Sequence, residues 1–177
     1  MTDDKTTALP IGSVADLLAY AYRIEIDALE RYRMLADQME VHNNPELASL
    51  FRDLAGHEEK HAQEILRQAG EEGIADIPEH EFEWGTAESP EAADLDAAHY
   101  RMTPWHALQM ALAAEKRAHG FFDHIVVSVD DPDVRKWAEE FRAEEAEHVE
   151  LVERLLSRHE PPAKGWDADD DPPILQE

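Results

Sequence analysis

The chain contains no cysteine. Disulfides, thiolate nucleophiles, iron–sulfur clusters and cysteine-ligated iron sites are therefore excluded, and any bound metal is held by oxygen and nitrogen. No stretch reaches the roughly 20 apolar residues that a membrane-spanning helix requires. Basic residues are scarce: 16 Lys and Arg stand against 41 Asp and Glu, a formal charge of -25 that disfavours nucleic acid and anionic lipid as partners. The excess acid reads as a solvated coat that keeps the protein soluble. The N-terminal MTDDKTTALP has neither the basic start nor the apolar run of a secretion signal, so a cytoplasmic location is expected. At 177 residues the chain is one domain's worth and can bury a full core without staples.

Glycine and proline are concentrated at a few places and divide the chain. Pro10 and Gly12 close a flexible lead-in over residues 1–12. Ser13, with Asp16 three residues on, is an N-cap signal, and the stripe Leu17, Ala21, Ile24, Ala28, Tyr32, Leu35, Met39 predicts a helix over about 14–41. Asn44 followed by Pro45 starts a second helix over about 45–69, ended by Gly70. So short a link makes the two helices antiparallel neighbours. Residues 70–103 are acidic, carry Gly70, Gly73, Gly85, Pro78 and Pro90, and show no sustained period; they read as a long crossover, with Ser89-Pro90-Glu91 opening a short helix through Ala98. Thr103-Pro104 and Asp131-Pro132 then open helices over about 104–128 and 132–159, and residues 160–177 form an acidic, proline-rich flexible tail. Residues 13–159 are thus expected to be an all-α domain of two antiparallel helix pairs joined by a long crossover, the ferritin-like form of the four-helix bundle.

Charge interrupts the apolar stripes at matching places. On the second helix Leu50, Phe51 and Leu54 are followed by Glu58 and His61 and then Ile65; on the fourth, Val134, Trp137 and Phe141 are followed by Glu145 and His148 and then Val152 and Leu155. The first and third helices each carry a lone stripe glutamate, Glu25 and Glu115, which precede Glu58 and Glu145 by 33 and 30 residues. A helix brings residues three apart onto one face, so each Glu-x-x-His pair can reach a single centre. A buried carboxylate must be neutralised, hydrogen-bonded or bound to a metal. Four ionised glutamates offset two divalent cations, and ligation rich in carboxylate with some imidazole suits iron or manganese better than structural zinc. Two such ions roughly 3.5–4 Å apart make a site for O2 or peroxide. Glu144 is the alternative to Glu145, but helical geometry puts Glu145 nearer the stripe centre. The competing reading, a bundle whose stripe glutamates pair or are solvated, requires several buried carboxylates to find partners at once.

The segments IEIDALERYRMLA, HEEKHAQEIL, LAAEKRAHGFFDHI and EEAEHVELVERLL resemble the four helices of the rubrerythrin branch of the ferritin-like superfamily, over about residues 14–159. The resemblance implies a non-haem di-iron carboxylate site that oxidises Fe(II) with O2 or peroxide, or reduces peroxide. By position, Glu25 and Glu115 would be the lone-helix ligands, Glu58 and Glu145 bridging carboxylates, and His61 and His148 terminal ligands. Tyr32, seven residues after Glu25, matches a tyrosine that such proteins place beside the site; the corresponding position in the second half is Phe122.

The sequence departs from true rubrerythrins in two respects. Without cysteine there is no rubredoxin domain, so a peroxidase cycle would need an external electron donor. The extra glutamate that rubrerythrins carry three residues after the lone Glu of the third helix is here Ala118; His119, one turn from Glu115, is the candidate to replace it in part. The expected function is a di-iron oxidoreductase coupling Fe(II) oxidation to reduction of O2 or H2O2, with ferroxidase character. The alternatives are a rubrerythrin-like peroxidase, a dimanganese catalase-like enzyme, or a non-catalytic iron carrier. A homodimer or higher homo-oligomer is implied by the resemblance, and the terminal PPILQE is a candidate docking motif after the acidic linker.

Overall fold

Four helices account for most of the chain in the computed structural model, which describes residues 9–86, 88–93, 95 and 98–167. They are α1 (Val14–Val41), α2 (Pro45–Ala69), α3 (Pro104–Ser128) and α4 (Pro132–Leu156), and a 3-10 turn covers Glu79–Glu81. Among the described residues there is no strand, so the domain is all-α.

Each helix begins where a side chain can take up a free backbone N–H of the first turn. Ser13 Oγ accepts from Asp16 N at 3.1 Å, Asn44 Oδ1 from Leu47 N at 3.2 Å, and Asp131 Oδ1 from Asp133 N and Val134 N at 2.8 and 3.0 Å. At α3 the ring of His106 accepts from Thr103 N at 3.1 Å, which uses this histidine as a cap. Pro45, Pro104 and Pro132 occupy first-turn positions, where a missing N–H costs nothing. Between α1 and α2 the chain reverses through Asn43 at φ 55, a conformation asparagine tolerates better than most residues. Gly70, at φ 58, closes α2. Beyond Leu156 the chain tightens, with Arg158 N donating to Leu155 O and His159 N to Leu156 O.

α1 packs along α2 and α3 along α4, and the two pairs meet through close approaches of α1 to α4 and α2 to α3. Direction follows from the connections. Asn44 Nδ2 donates to Met102 O at 3.2 Å, so the α1–α2 turn lies beside the start of α3. Ala75 N donates to Ala15 O at 3.0 Å, so the chain leaving α2 passes the start of α1. The crossover therefore travels the length of the bundle, and α2 and α3 start at the same end. On its way it is tied to α1 at three places: Arg23 donates to Glu79 at 2.8 Å, Glu83 N to the Tyr20 hydroxyl at 3.0 Å, and Arg31 to Glu88 at 2.9 Å. A long crossover between short-looped pairs is the ferritin-like connection expected from the sequence.

Residues 89–93 form a turn followed by chain without regular structure rather than the start of a helix; positions 94, 96 and 97 lie outside the described residues. Toward the C-terminus Trp166 packs on the ring of His106, with centroids 3.8 Å apart, and stands edge-on to His99. The PPILQE segment and residues 1–8 are outside the described residues.

The apolar interior is divided. One cluster, at the α1–α2 turn, gathers Tyr32, Leu35, Met39, Leu47, Phe51 and Leu108; the other, at the opposite end, gathers Leu17, Ile24, Ile65, Phe122, Ile125 and Phe141. Between them lies a layer of carboxylates.

Candidate metal centre

Glu25, Glu58, Glu115 and Glu145 are all buried, at 6, 4, 5 and 3% exposure. Each sits mid-helix on the core stripe, so the helix places the carboxylate inside whether or not its charge is welcome there. The six residues that sequence spacing brought together form two trios. In Glu25, Glu58 and His61, and again in Glu115, Glu145 and His148, one potential ligand atom from each residue lies within 4.8 Å of the others. His61 Nδ1 is 3.6 Å from Glu25 and 3.3 Å from Glu58; His148 Nδ1 is 3.5 Å from both Glu115 and Glu145. The two imidazoles stack on each other with centroids 4.3 Å apart and planes at 8°, which joins the trios into one centre.

These contacts leave bonding capacity unused. Glu25 Oε2, Glu115 Oε2, Glu145 Oε2 and His61 Nδ1 are buried without a hydrogen-bond partner. His61 Nδ1 is near its carboxylates, but the alignment is not that of a hydrogen bond. Buried polar atoms are normally satisfied, and a set of unsatisfied carboxylate oxygens converging on one place is the donor set that a pair of cations completes.

The electrostatics point the same way. Burial pushes the Glu25 carboxyl up to about 8, with Glu58 and Glu145 adding to the rise and His61 opposing it. Burial also raises Glu145, against the pull of His148. For the histidines burial lowers the pKa, but the facing carboxylates win: Glu25 and Glu58 push His61 up to about 10, and Glu115 and Glu145 push His148 up to about 11. Without metal the centre thus stores protons, shared within each trio rather than belonging to one atom. Metal ligation requires deprotonated groups, so loading must expel them.

Tyr32 is 1% exposed and stacks on Phe51 at 6.2 Å. Burial holds its hydroxyl well above the ordinary phenol range, and the charges of Glu58, Glu115 and Glu91 add to this, which places the ring within reach of the centre's field. Phe122, its counterpart, stacks on Phe141 at 5.2 Å. His119 is half-exposed on α3 and belongs to neither trio, Glu144 is exposed and also belongs to neither, and Ala118 is fully buried.

Glu91, from the crossover, belongs to the same layer and was not legible as such from the sequence. It is 2% exposed, its Oε2 has no partner, and its carboxyl lies within hydrogen-bonding reach of Glu145. Burial raises its pKa far above the carboxylate range, and Glu145, Glu25, Glu115 and Glu58 all add to the rise. Its only sequence signal was the apolar Ala92-Ala93 that follows it in an otherwise acidic stretch.

The centre has an opening. His61 and His148 keep 34 and 21% of their side chains exposed, and beside them a cavity of about 70 Å³ is lined by Glu58 and Glu115 together with Leu54, Leu151, Val152 and Leu155. The cavity borders both imidazoles and two of the four carboxylates.

The sequence model of the rubrerythrin family matches residues 16–156. A solved structure of an uncharacterized conserved protein from Magnetospirillum magnetotacticum MS-1 is 33% identical, with a TM-score of 0.62, over 85% of this chain and 98% of that one. No functionally curated protein matches significantly.

Proposed function

The chain belongs to the rubrerythrin family, and from that premise we propose that it is a non-haem di-iron oxidoreductase that couples oxidation of Fe(II) to reduction of O2 or H2O2. The observation that carries the reading is the pair of facing trios whose buried carboxylate oxygens have no partners. Glu25, Glu58 and His61 would hold one ion and Glu115, Glu145 and His148 the other, and a pair of iron ions supplies two electrons, one from each ion, to a single peroxide.

The chain's own groups support this chemistry in three ways. The four stripe glutamates carry -4 when ionised, which offsets two divalent cations and makes the charged layer compatible with the apolar clusters on either side. His61 and His148 stand at the opening, so ions and oxidant meet imidazole before carboxylate, and the protons displaced on loading leave by the same route. Tyr32, held protonated by burial, keeps an O–H beside the layer without adding charge to it. Iron is favoured over manganese by the family alone.

The test is stopped-flow oxidation of protein loaded anaerobically with increasing Fe(II), mixed with O2 and separately with H2O2. The reading expects a fast phase that saturates at two irons per chain and continued oxidation when more Fe(II) is supplied. A carrier would stop at two. No fast phase with either oxidant would overturn the iron chemistry and leave manganese or a non-catalytic metal site.

A further inference from the structure

Every described acid of the crossover other than Glu91 is exposed, from Glu71 and Glu72 through Asp76, Glu79, Glu81 and Glu83 to Glu88. Glu91 alone among them is inside, and its position is built rather than incidental. The guanidinium of Arg117, two residues along α3 from Glu115, grips the backbone on both sides of it: Nε donates to Pro90 O at 2.8 Å and Nη2 to Ala92 O at 3.2 Å. Ser89, Pro90, Ala92 and Ala93 are buried with it, so the segment is sealed against the bundle.

This arrangement spends an arginine on two carbonyls and leaves the adjacent carboxylate oxygen without a partner. A bidentate Arg–carboxylate pair is the ordinary way to satisfy a buried glutamate. Here the carboxyl meets that of Glu145 instead. Oε2 of Glu91 and those of Glu25, Glu115 and Glu145 are all buried without a hydrogen-bond partner, and a cation in their layer is a partner that Glu91 can share with them.

We propose that Glu91 is a fifth carboxylate of the dinuclear centre, delivered by the crossover rather than by a bundle helix, and that Arg117 is the positioning residue that aims it. The inference rests on the dinuclear reading above. It makes the ligand set asymmetric, with the extra negative charge on the Glu145 side. It also gives the crossover a role in metal binding beyond connecting α2 to α3.

The test is anaerobic titration of the metal-free full chain with Co(II), following the visible absorption bands, which report coordination number, and measuring affinity by chelator competition. Wild type is expected to bind two Co(II). Glu91→Gln, which keeps size and removes the charge, is expected to change the bands and to weaken one of the two ions roughly 10- to 100-fold, the range seen when a group supporting a metal site is lost. Arg117→Lys, which cannot bridge both carbonyls, is expected to change the bands in the same direction by less. Glu91→Asp, with the charge drawn back by one methylene, serves if the Gln variant folds poorly, since circular dichroism will reveal that; it too must alter the bands. Two Co(II) bound with wild-type bands and affinity in the Glu91 variants would overturn the proposal while leaving the dinuclear centre standing. Failure of wild type to bind two Co(II) would overturn both.

Discussion

The two halves of the bundle offer the same ligands in different surroundings. α1–α2 and α3–α4 each give one lone glutamate and one Glu-x-x-His, with imidazole-to-carboxylate separations of 3.3–3.6 Å in the first half and 3.5 Å in the second. Around them the halves diverge. The first sets a phenol, Tyr32, against Phe51; the second sets Phe122 against Phe141 and brings Glu91 to Glu145. Near-symmetry of the trios makes a paired site, and the asymmetry around them gives the two positions different charge and different hydrogen-bonding resources.

The sharpest way to break the comparison is to remove one carboxylate from each half. Glu58→Ala and Glu145→Ala are each expected to abolish stoichiometric binding of two ions while circular dichroism shows the helices intact. The losses should be unequal. Glu145→Ala leaves Glu91 beside the vacated position, so it is expected to retain weak binding of a second ion, whereas Glu58→Ala has no neighbour of that kind on its side. Equal retention in the two variants would contradict the asymmetry, and unchanged binding in both would refute the ligand assignment.

Acidity acts on both halves together and in opposite senses on the empty and loaded protein. His61 and His148 rise from 6.5 to about 10 and about 11. A raised histidine stabilises the fold fully below its unfolded value of 6.5, and that contribution is lost as pH climbs through 10–11. Glu25, raised from 4.5 to about 8, behaves likewise: its protonated form fits the core, and ionisation through pH 8 works against folding. The folded state binds more protons than the unfolded one, so metal-free stability falls as pH rises from about 5 toward 11. Metal affinity rises over the same range, because the protons to be displaced are fewer. Thermal melts of the metal-free chain at pH 6 and pH 9, with calorimetric titration in buffers of different ionisation enthalpy, measure both; a melting temperature that increases with pH would contradict the assignment of protons to the centre.

A smaller effect is expected from making the halves alike. Tyr32→Phe copies Phe122 into the first half. It should leave the binding of two ions unchanged and alter stability by about 1 kcal/mol or less, the scale of one buried hydroxyl. If the phenol serves the chemistry, the fast oxidation phase slows in this variant and Phe122→Tyr does not restore it. An unchanged fast phase would assign Tyr32 to packing with Phe51.

What could be read from the chain beforehand depended on periodicity. The helices were legible because Leu17 through Met39 and its equivalents repeat at helical spacing and because Ser13, Asn44, Thr103 and Asp131 stand where caps belong. The six trio residues were legible for the same reason: a charge that falls on an apolar stripe is conspicuous. Glu91 has no stripe to interrupt. Its burial depends on a tertiary clamp from Arg117, 26 residues away, and a crossover acid among many acids carries no local sign of that. Trp166 was illegible for a like reason, since its contact with His106 joins the end of the chain to the first turn of α3.

The caps give the comparison its finest resolution, since Asn44 and Asp131 open the second helix of each half. Asp131 takes two backbone N–H groups, at 2.8 and 3.0 Å, all within its own helix turn. Asn44 takes one, from Leu47, and its amide also donates to Met102 O, the last turn of crossover before α3. Replacing either by alanine is expected to cost about 1 kcal/mol in chemical denaturation. The consequences should differ in kind. Asp131→Ala loosens α4 locally. Asn44→Ala also releases the join between the α1–α2 turn and the end of the crossover, so amide exchange is expected to quicken around Met102 and Ala107 as well as at Leu47. Exchange confined to α2 in that variant would show that the two ends of the crossover are held independently.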